Sequence, residues 1–264
     1  MILAIGIIFV ALLPQVKDLY KKNDIKMRRD QFMTFLREHH LLVKKTKKYH
    51  ITTGWHSTNS KHFYYKSPNL IKDLVPTYAE QVFVNDITYV DIDGQHGYLA
   101  LVTDWFSKRI MGYKLDDNMR VSLTKDVLEI AVKNRIYTHQ NIIHHSNRGL
   151  QYCCSDYSEF AQKRGMILST TQQYDPYEKR NVAPCVAERI NGIIKYEFGF
   201  IKKLPSMEVA QKMIVQAIEI YNHERRHKSL NMKTPAQAHK ENNHWAAFRQ
   251  HKFYKKIKSQ KAET

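Results

Sequence analysis

The sequence predicts an α/β domain built on a mixed sheet, and three observations predict it. Residues 81–115 read as three consecutive strands joined by short turns, with no helix between them. From residue 121 onward, helical and strand patterns alternate. The composition, 43% hydrophobic and 25% charged, can close a sizeable core. "QVFVNDITYV" alternates and is rich in β-branched residues, "DGQHG" is a turn, "YLALVTDW" is a buried strand and "RIMGYKL" a third. Residues 121–134 form an amphipathic helix with Leu123, Val127, Ile130 and Ala131 on one face. "NIIHH" is a short strand, 154–164 a helix, "MILST" a strand and 186–198 a helix. Ser206 caps a long helix reaching about Tyr221, with Val209, Met213, Ile214 and Ile218 inward.

Charge sets the N-terminal part apart. The whole chain of 264 residues carries 42 Lys and Arg against 25 Asp and Glu, a net +17. Residues 15–75 hold fourteen basic residues against five acidic ones. Such an excess points to a polyanion, nucleic acid before an acidic membrane surface. Asp30 fits the N-cap of a short helix bearing Phe32, Phe35 and Leu36, preceded by another short basic helix. The pair reads either as a helix-turn-helix-like unit or as a hairpin packed on the main domain. Lys44, Lys45, Lys47 and Lys48 open a polar linker interleaved with Tyr49, Trp55, Tyr64 and Tyr65. The apolar run before Pro14 is too short to span a bilayer and lacks signal-peptide features, so no membrane partner is expected. Cys153, Cys154 and Cys185 have neither zinc nor disulfide spacing and read as reduced thiols of a cytoplasmic protein.

Three positions draw the chemistry. Asp86 shares a strand face with Val82, Val84, Thr88 and Val90, where a carboxylate is costly unless a metal ion, a cation or backbone amides meet it. Asn147 stands just past the end of "NIIHH", where open α/β sheets place ligands. Glu188 lies in the first turn of a helix starting near Cys185, and Asn191 and Lys195 follow it at three and seven residues. That polar stripe suits a metal-binding acid flanked by DNA-contacting side chains, or simply a solvated helix face. Asp104 is a further strand-end acid, expected to pair with Ser107 or a basic side chain.

"NDITYV", "HHSNRGLQY" and "VAERINGIIKYEF" resemble, in order, the three catalytic blocks of the IS-three family of insertion-sequence transposases. "KSPNLIKDLVPT", "YLALVTDWFSKRIMGY" and "YNHERRHKSLNMKTPAQAH" extend the resemblance over roughly residues 24 to 240. It implies an RNase H-like fold with a mixed five-stranded sheet flanked by helices, preceded by a small, truncated helical region. It divides the chain into a helix-turn-helix-like part (1–43), a basic linker (44–75), an integrase catalytic core (76–242) and a basic tail (243–264). It implies a DDE metal site for transposon-end and target DNA, with Asp86 first and Glu188 third, and Asn147 where the family has its second Asp. Two divalent cations, Mg²⁺ or Mn²⁺, are then expected, because such sites clamp both oxygens of an in-line displacement.

Asn147 offers a neutral oxygen in place of a carboxylate, so the expected two-metal site is weakened and turnover impaired or lost. The forty residues between Asn147 and Glu188 exceed the family's gap, and the surplus falls in "EKRNVAPC". Arg148, Asn191, Lys195, Arg225, Arg226 and the Lys44–Lys48 run are the expected DNA contacts. The resemblance also implies a homo-oligomer, a helix-turn-helix partner from an upstream reading frame, and a cytoplasmic, nucleoid-associated location. An inactive DNA-binding remnant that interferes with an active transposase is the alternative.

Overall fold

The computed structural model describes residues 29–39, 66–72, 74–138, 141–171 and 182–242. The Lys44–Lys48 run, the first of the two N-terminal helices, the loop "EKRN" and the C-terminal tail lie outside them. Helix α1 (Arg29–Glu38) covers the second N-terminal helix, with Asp30 inside its first turn rather than capping it.

The three-strand meander comprises β1 (Val82–Ile92), β2 (Gln95–Asp104) and β3 (Ile110–Asp116). Both its pairings are antiparallel. Asp93 and Gly94 close the β1–β2 turn with positive φ of 50° and 83°, the backbone that two-residue hairpin loops require. Helix α2 (Val121–Lys133) follows, then β4 (Ile142–Ser146), α3 (Leu150–Cys153), α4 (Ser155–Gln162) and β5 (Met166–Thr170). β4 pairs parallel to β1 and β5 parallel to β4, giving the order β3-β2-β1-β4-β5. The helix expected over 154–164 is α4, and the short α3 stands before it, set off by Cys154 in an extended conformation (φ −70°, ψ 150°). Cys153 and Cys154 are free and buried.

Helices α5 (Val182–Glu197), α6 (Met207–His223) and α7 (Pro235–Glu241) complete the described chain. Ser206 accepts from the Val209 N–H at the start of α6. Val209 itself is exposed, contrary to the expected inward face; Ala210, Ile214, Ala217 and Ile218 make the buried stripe. Thr234 and Gln237 form a reciprocal capping box on α7, with Pro235 at its first position.

Period-two alternation divides the core. Val82, Val84, Val90, Leu99 and Leu101 face α5 and α6, meeting Val186, Ile190, Ile194, Ile214 and Ile218. Phe83, Ala100, Val102 and Met111 face α2 and α4, meeting Leu123, Val127, Leu128, Tyr157 and Ala161. A Cβ on Gly112 would come within 2.2 Å of the Val127 carbonyl oxygen. That glycine therefore sets how closely α2 lies on β3.

Candidate functional site

Register brings the first two sequence-predicted positions together. Val82 lies opposite Ile143 and Val84 opposite His145 across the parallel β1–β4 pair. Two residues further on, Asp86 and Asn147 stand side by side on the face covered by α5. Asn147 Nδ2 donates to Asp86 Oδ1 at 3.4 Å. Its Oδ1 accepts from the Gly149 N–H at 2.9 Å, an Asx turn that fixes the amide. A Cβ at Gly149 would press to 2.9 Å from that same Oδ1.

Helix α5 supplies the third position. It begins at Val182, so Glu188 lies in its second turn, a turn later than expected. Glu188 is exposed, while Ile190 and Ile194 bury the opposite stripe. Asn191 is buried, and its Nδ2 donates to Asp86 Oδ2 at 2.7 Å. Asp86 is thus held by two side-chain amides and by the Ile87 N–H at 3.0 Å. Burial, then the negative charge of Glu188, push the Asp86 carboxyl up to about 7, against the pull of Asn191, the Ile87 N–H and Lys195. Burial draws the Lys195 ammonium below its ordinary value, opposed by Asp86. Asp86, Asn147, Glu188, Asn191 and Lys195 therefore share one electrostatic neighbourhood, and Tyr152 is close enough for Asp86 to raise its phenol.

The other expected contacts are spread out. Arg148 Nε donates to the Thr171 carbonyl at 2.6 Å. Arg225 is forked onto Glu197 of α5 at 2.7 and 2.8 Å and also contacts His227. Its guanidinium serves the packing of α5 against the segment after α6. His144 turns to the opposite core and meets the Tyr157 hydroxyl at 2.7 Å. His145 stays on the site face and meets Ser169 at 2.9 Å.

The donor set can be tested against metal. Asp86, half-buried, and Glu188, exposed and acting on it through its charge, offer the anionic oxygens that a single hard divalent cation takes. They do not fit two: the Asn147 oxygen is engaged by Gly149 and its amide points a donor at Asp86. Among the described residues no group of three or more His, Cys, Asp or Glu side chains could hold a metal.

One buried charged arrangement is not legible in the sequence. Glu80, Asp104 and His239 are fully buried together. His239 Nε2 lies 3.1 Å from Glu80 Oε1 and its Nδ1 3.3 Å from Asp104 Oδ2. Arg135 Nε donates to Glu80 at 3.1 Å. Asp104 also takes the N–H and hydroxyl of Ser107, the partner expected for it. The His at the end of "TPAQAH" was the available signal; its partners 135 and 159 residues away were not.

Two family models described as integrase core domain match residues 76–176 and 164–235. The insertion element IS600 uncharacterized 31 kDa protein of Shigella sonnei is 32% identical over 217 residues, 81% of this chain and 76% of that protein. Transposase InsF for insertion sequence IS3A of Escherichia coli (strain K12) is 29% identical over 178 residues, 67% of this chain. The chain spans 60% of that transposase and 54% of the IS986/IS6110 putative transposase of Mycobacterium tuberculosis. The cryoEM structure of the simian T-cell lymphotropic virus intasome in complex with PP2A regulatory subunit B56 gamma superposes with a TM-score of 0.52 at 15% identity. That likeness covers 84% of this chain and 73% of that one, and it is one of fold. The sheet and its flanking helices are RNase H-like, and the chain belongs to the IS-three family of insertion-sequence transposases, with an integrase-type core.

Proposed function

We propose that this chain binds transposon-end and target DNA and carries a divalent-cation site, Mg²⁺ or Mn²⁺, held by Asp86 and Glu188 within a catalytic core of residues 76–242. Family membership supports DNA transposition as the setting. The observation that carries the site is the Asp86 carboxylate held by the Asn191 and Asn147 amides, with Glu188 three residues before Asn191 on α5 and its negative charge acting on Asp86. When bound, the cation would supply Lewis-acid stabilisation of oxyanions in phosphodiester chemistry. The chain's own residues do the positioning. Asn191 orients Asp86, and Lys195 on the same helix stripe offers a cation to a phosphate. Outside the described residues, Lys44, Lys45, Lys47 and Lys48 supply sequence-independent attraction to DNA. Arg148 and Arg226 add to it, and the charged tail does the same. A homo-oligomer and a partner encoded by an upstream reading frame complete the reading, in the cytoplasm and on the nucleoid.

A second reading is favoured by one specific observation, the Asn147 amide turned as a donor toward Asp86. It makes the chain an inactive end-binder that competes with an active transposase. The substitution Asn147→Asp separates the two. Under the first reading it restores a third carboxylate, tightens Mg²⁺ binding by tenfold or more (about 1.4 kcal/mol), and raises 3′-end cleavage and strand transfer in vitro. Tighter metal binding without cleavage leaves the inactive end-binder. Unchanged Mg²⁺ affinity by calorimetry would refute the assigned cation site.

A further inference from the structure

We infer that the cavity between β3 and α6 is a binding site for a carboxylate carried on an apolar stem, with Arg109 as the residue that takes the carboxylate. The inference is independent of the proposed cation site, which stands two strands away on β1.

The turn after β2 delivers Arg109 to this cavity. Its N–H donates to Ser107 Oγ at 3.2 Å, and its carbonyl accepts from the Asp104 N–H at 2.9 Å, so both backbone groups are fixed where β3 begins. The side chain lines a cavity of about 640 Å³ together with Met111 and Tyr113 of β3 and Val215, Glu219 and Ile220 of α6. That volume lies in the range of small-molecule sites. Arg109 Nε is buried and, among the described residues, has no hydrogen-bond partner. A guanidinium is a fork of donors that cannot shed its charge, so leaving it unmet in a half-buried place is costly. The two oxygens of a carboxylate match that fork.

The neighbouring acids are committed elsewhere. Glu80 meets Arg135 at 3.1 Å and His239 at 3.1 Å. Asp104 meets His239 at 3.3 Å and takes the Ser107 hydroxyl. With His239 protonated, these two acids face two cations, and Arg109 is the charge left over. Glu219 lies 3.7 Å from His223, and its side chain is 74% exposed, so water screens it. The wall amides are spent as well. Asn134 Nδ2 donates to the Met111 carbonyl, and both polar groups of Asn222 are taken by Ile110. Arg109 is the buried donor these walls leave unused. Met111, Val215 and Ile220 offer the apolar surface for a stem, and Val215 is 53% exposed.

Calorimetric titration of the full chain with 4-phenylbutyrate, in metal-free buffer, tests the site. The acid should bind saturably. Acetate lacks the stem, 4-phenylbutanamide lacks the charge and inorganic phosphate lacks both the stem and the carboxylate, so none of the three should saturate at the same concentrations. Arg109→Gln should weaken binding about tenfold or more. Glu219→Gln removes a like charge from the wall and should tighten binding about twofold. Val215→Glu adds a like charge and should weaken it. These last two variants alter exposed side chains, so they should melt as the wild type does and keep the test decisive if Arg109→Gln fails to fold. No saturable binding by the wild type would overturn the inference. So would an amide or phosphate that bound as tightly as the acid, or an affinity that neither Glu219→Gln nor Val215→Glu moved.

Discussion

At Asn222 one side chain closes both hydrogen-bonding groups of Ile110, where β3 begins. Its Oδ1 accepts from the Ile110 N–H and its Nδ2 donates to the Ile110 carbonyl, each at 3.0 Å. β3 is the outer strand of the sheet, and Asn134 takes the next carbonyl, that of Met111, at 2.9 Å. Amides on α6 and at the end of α2 thus do the pairing a neighbouring strand would do. Asn222→Ala leaves a buried N–H and carbonyl without partners and should cost about 1–3 kcal/mol. Equilibrium urea unfolding would measure it, and an unchanged midpoint would deny Asn222 this role. Of the residues at the proposed cation site, Asp86 and Glu188 stand out in the sequence because an acid on an apolar strand and an acid on a helix stripe are local patterns. Asn191 reads from the same stripe as a DNA contact. Its bond to Asp86 depends on how α5 is laid over β1, which no local pattern encodes.

At the scale of elements, strands and helices were legible wherever periodicity was long and unmixed. β1, β2, β3, β4, β5 and α2 stand where alternation or a 3.6-residue stripe places them, within a few residues. Boundaries failed where capping competed with pattern. Val209 fits the apolar spacing of α6, yet its N–H is spent on Ser206 in the first turn and its side chain remains outside. The helix expected over 154–164 stands at Ser155–Gln162, but the four-residue helix Leu150–Cys153, ended by the extended Cys154, is too short for a periodic pattern to announce. The pairing of β1 with β4 was out of reach for a different reason. It joins residues sixty-one apart across a helical crossover, and only the fold class, not the sequence spacing, determines which strands become neighbours. The element most weakly announced is α7, whose seven residues are set by a capping box and held by the buried cluster around His239.

For the whole molecule, that cluster couples the C-terminal helix to the start of β1 and the end of β2. Burial would lower the His239 imidazolium, but hydrogen bonds to Asp104 and Glu80 outweigh it and raise it above 6.5. Burial would raise the Glu80 carboxyl, but His239, the Ile136 N–H and Arg135 outweigh it and hold it below 4.5. A raised histidine contributes stability that is complete below 6.5 and fades as pH climbs through its folded value. A lowered carboxylate contributes above 4.5 and fades as pH falls through its folded value. The cluster is therefore strongest between about 4.5 and 6.5. His239→Ala breaks a buried ion pair, a loss on the order of 3–5 kcal/mol. Denaturation at pH 6 and pH 9 should show a gap between wild type and variant that narrows at the higher pH; a constant gap would mean His239 is neutral throughout.

The same cluster sets the shortest fragment that can fold. The stretch matched by the integrase core models stops at residue 235, four positions before the imidazole that Glu80 and Asp104 share. A protein trimmed there keeps every described strand and both carboxylates, but it leaves Asp104 without its imidazole and Glu80 with Arg135 alone. Trimming at residue 242 retains the whole lock. Expressed side by side, the longer piece should be recovered folded and the shorter one as aggregate, although the seven residues between them touch neither Asp86 nor Glu188.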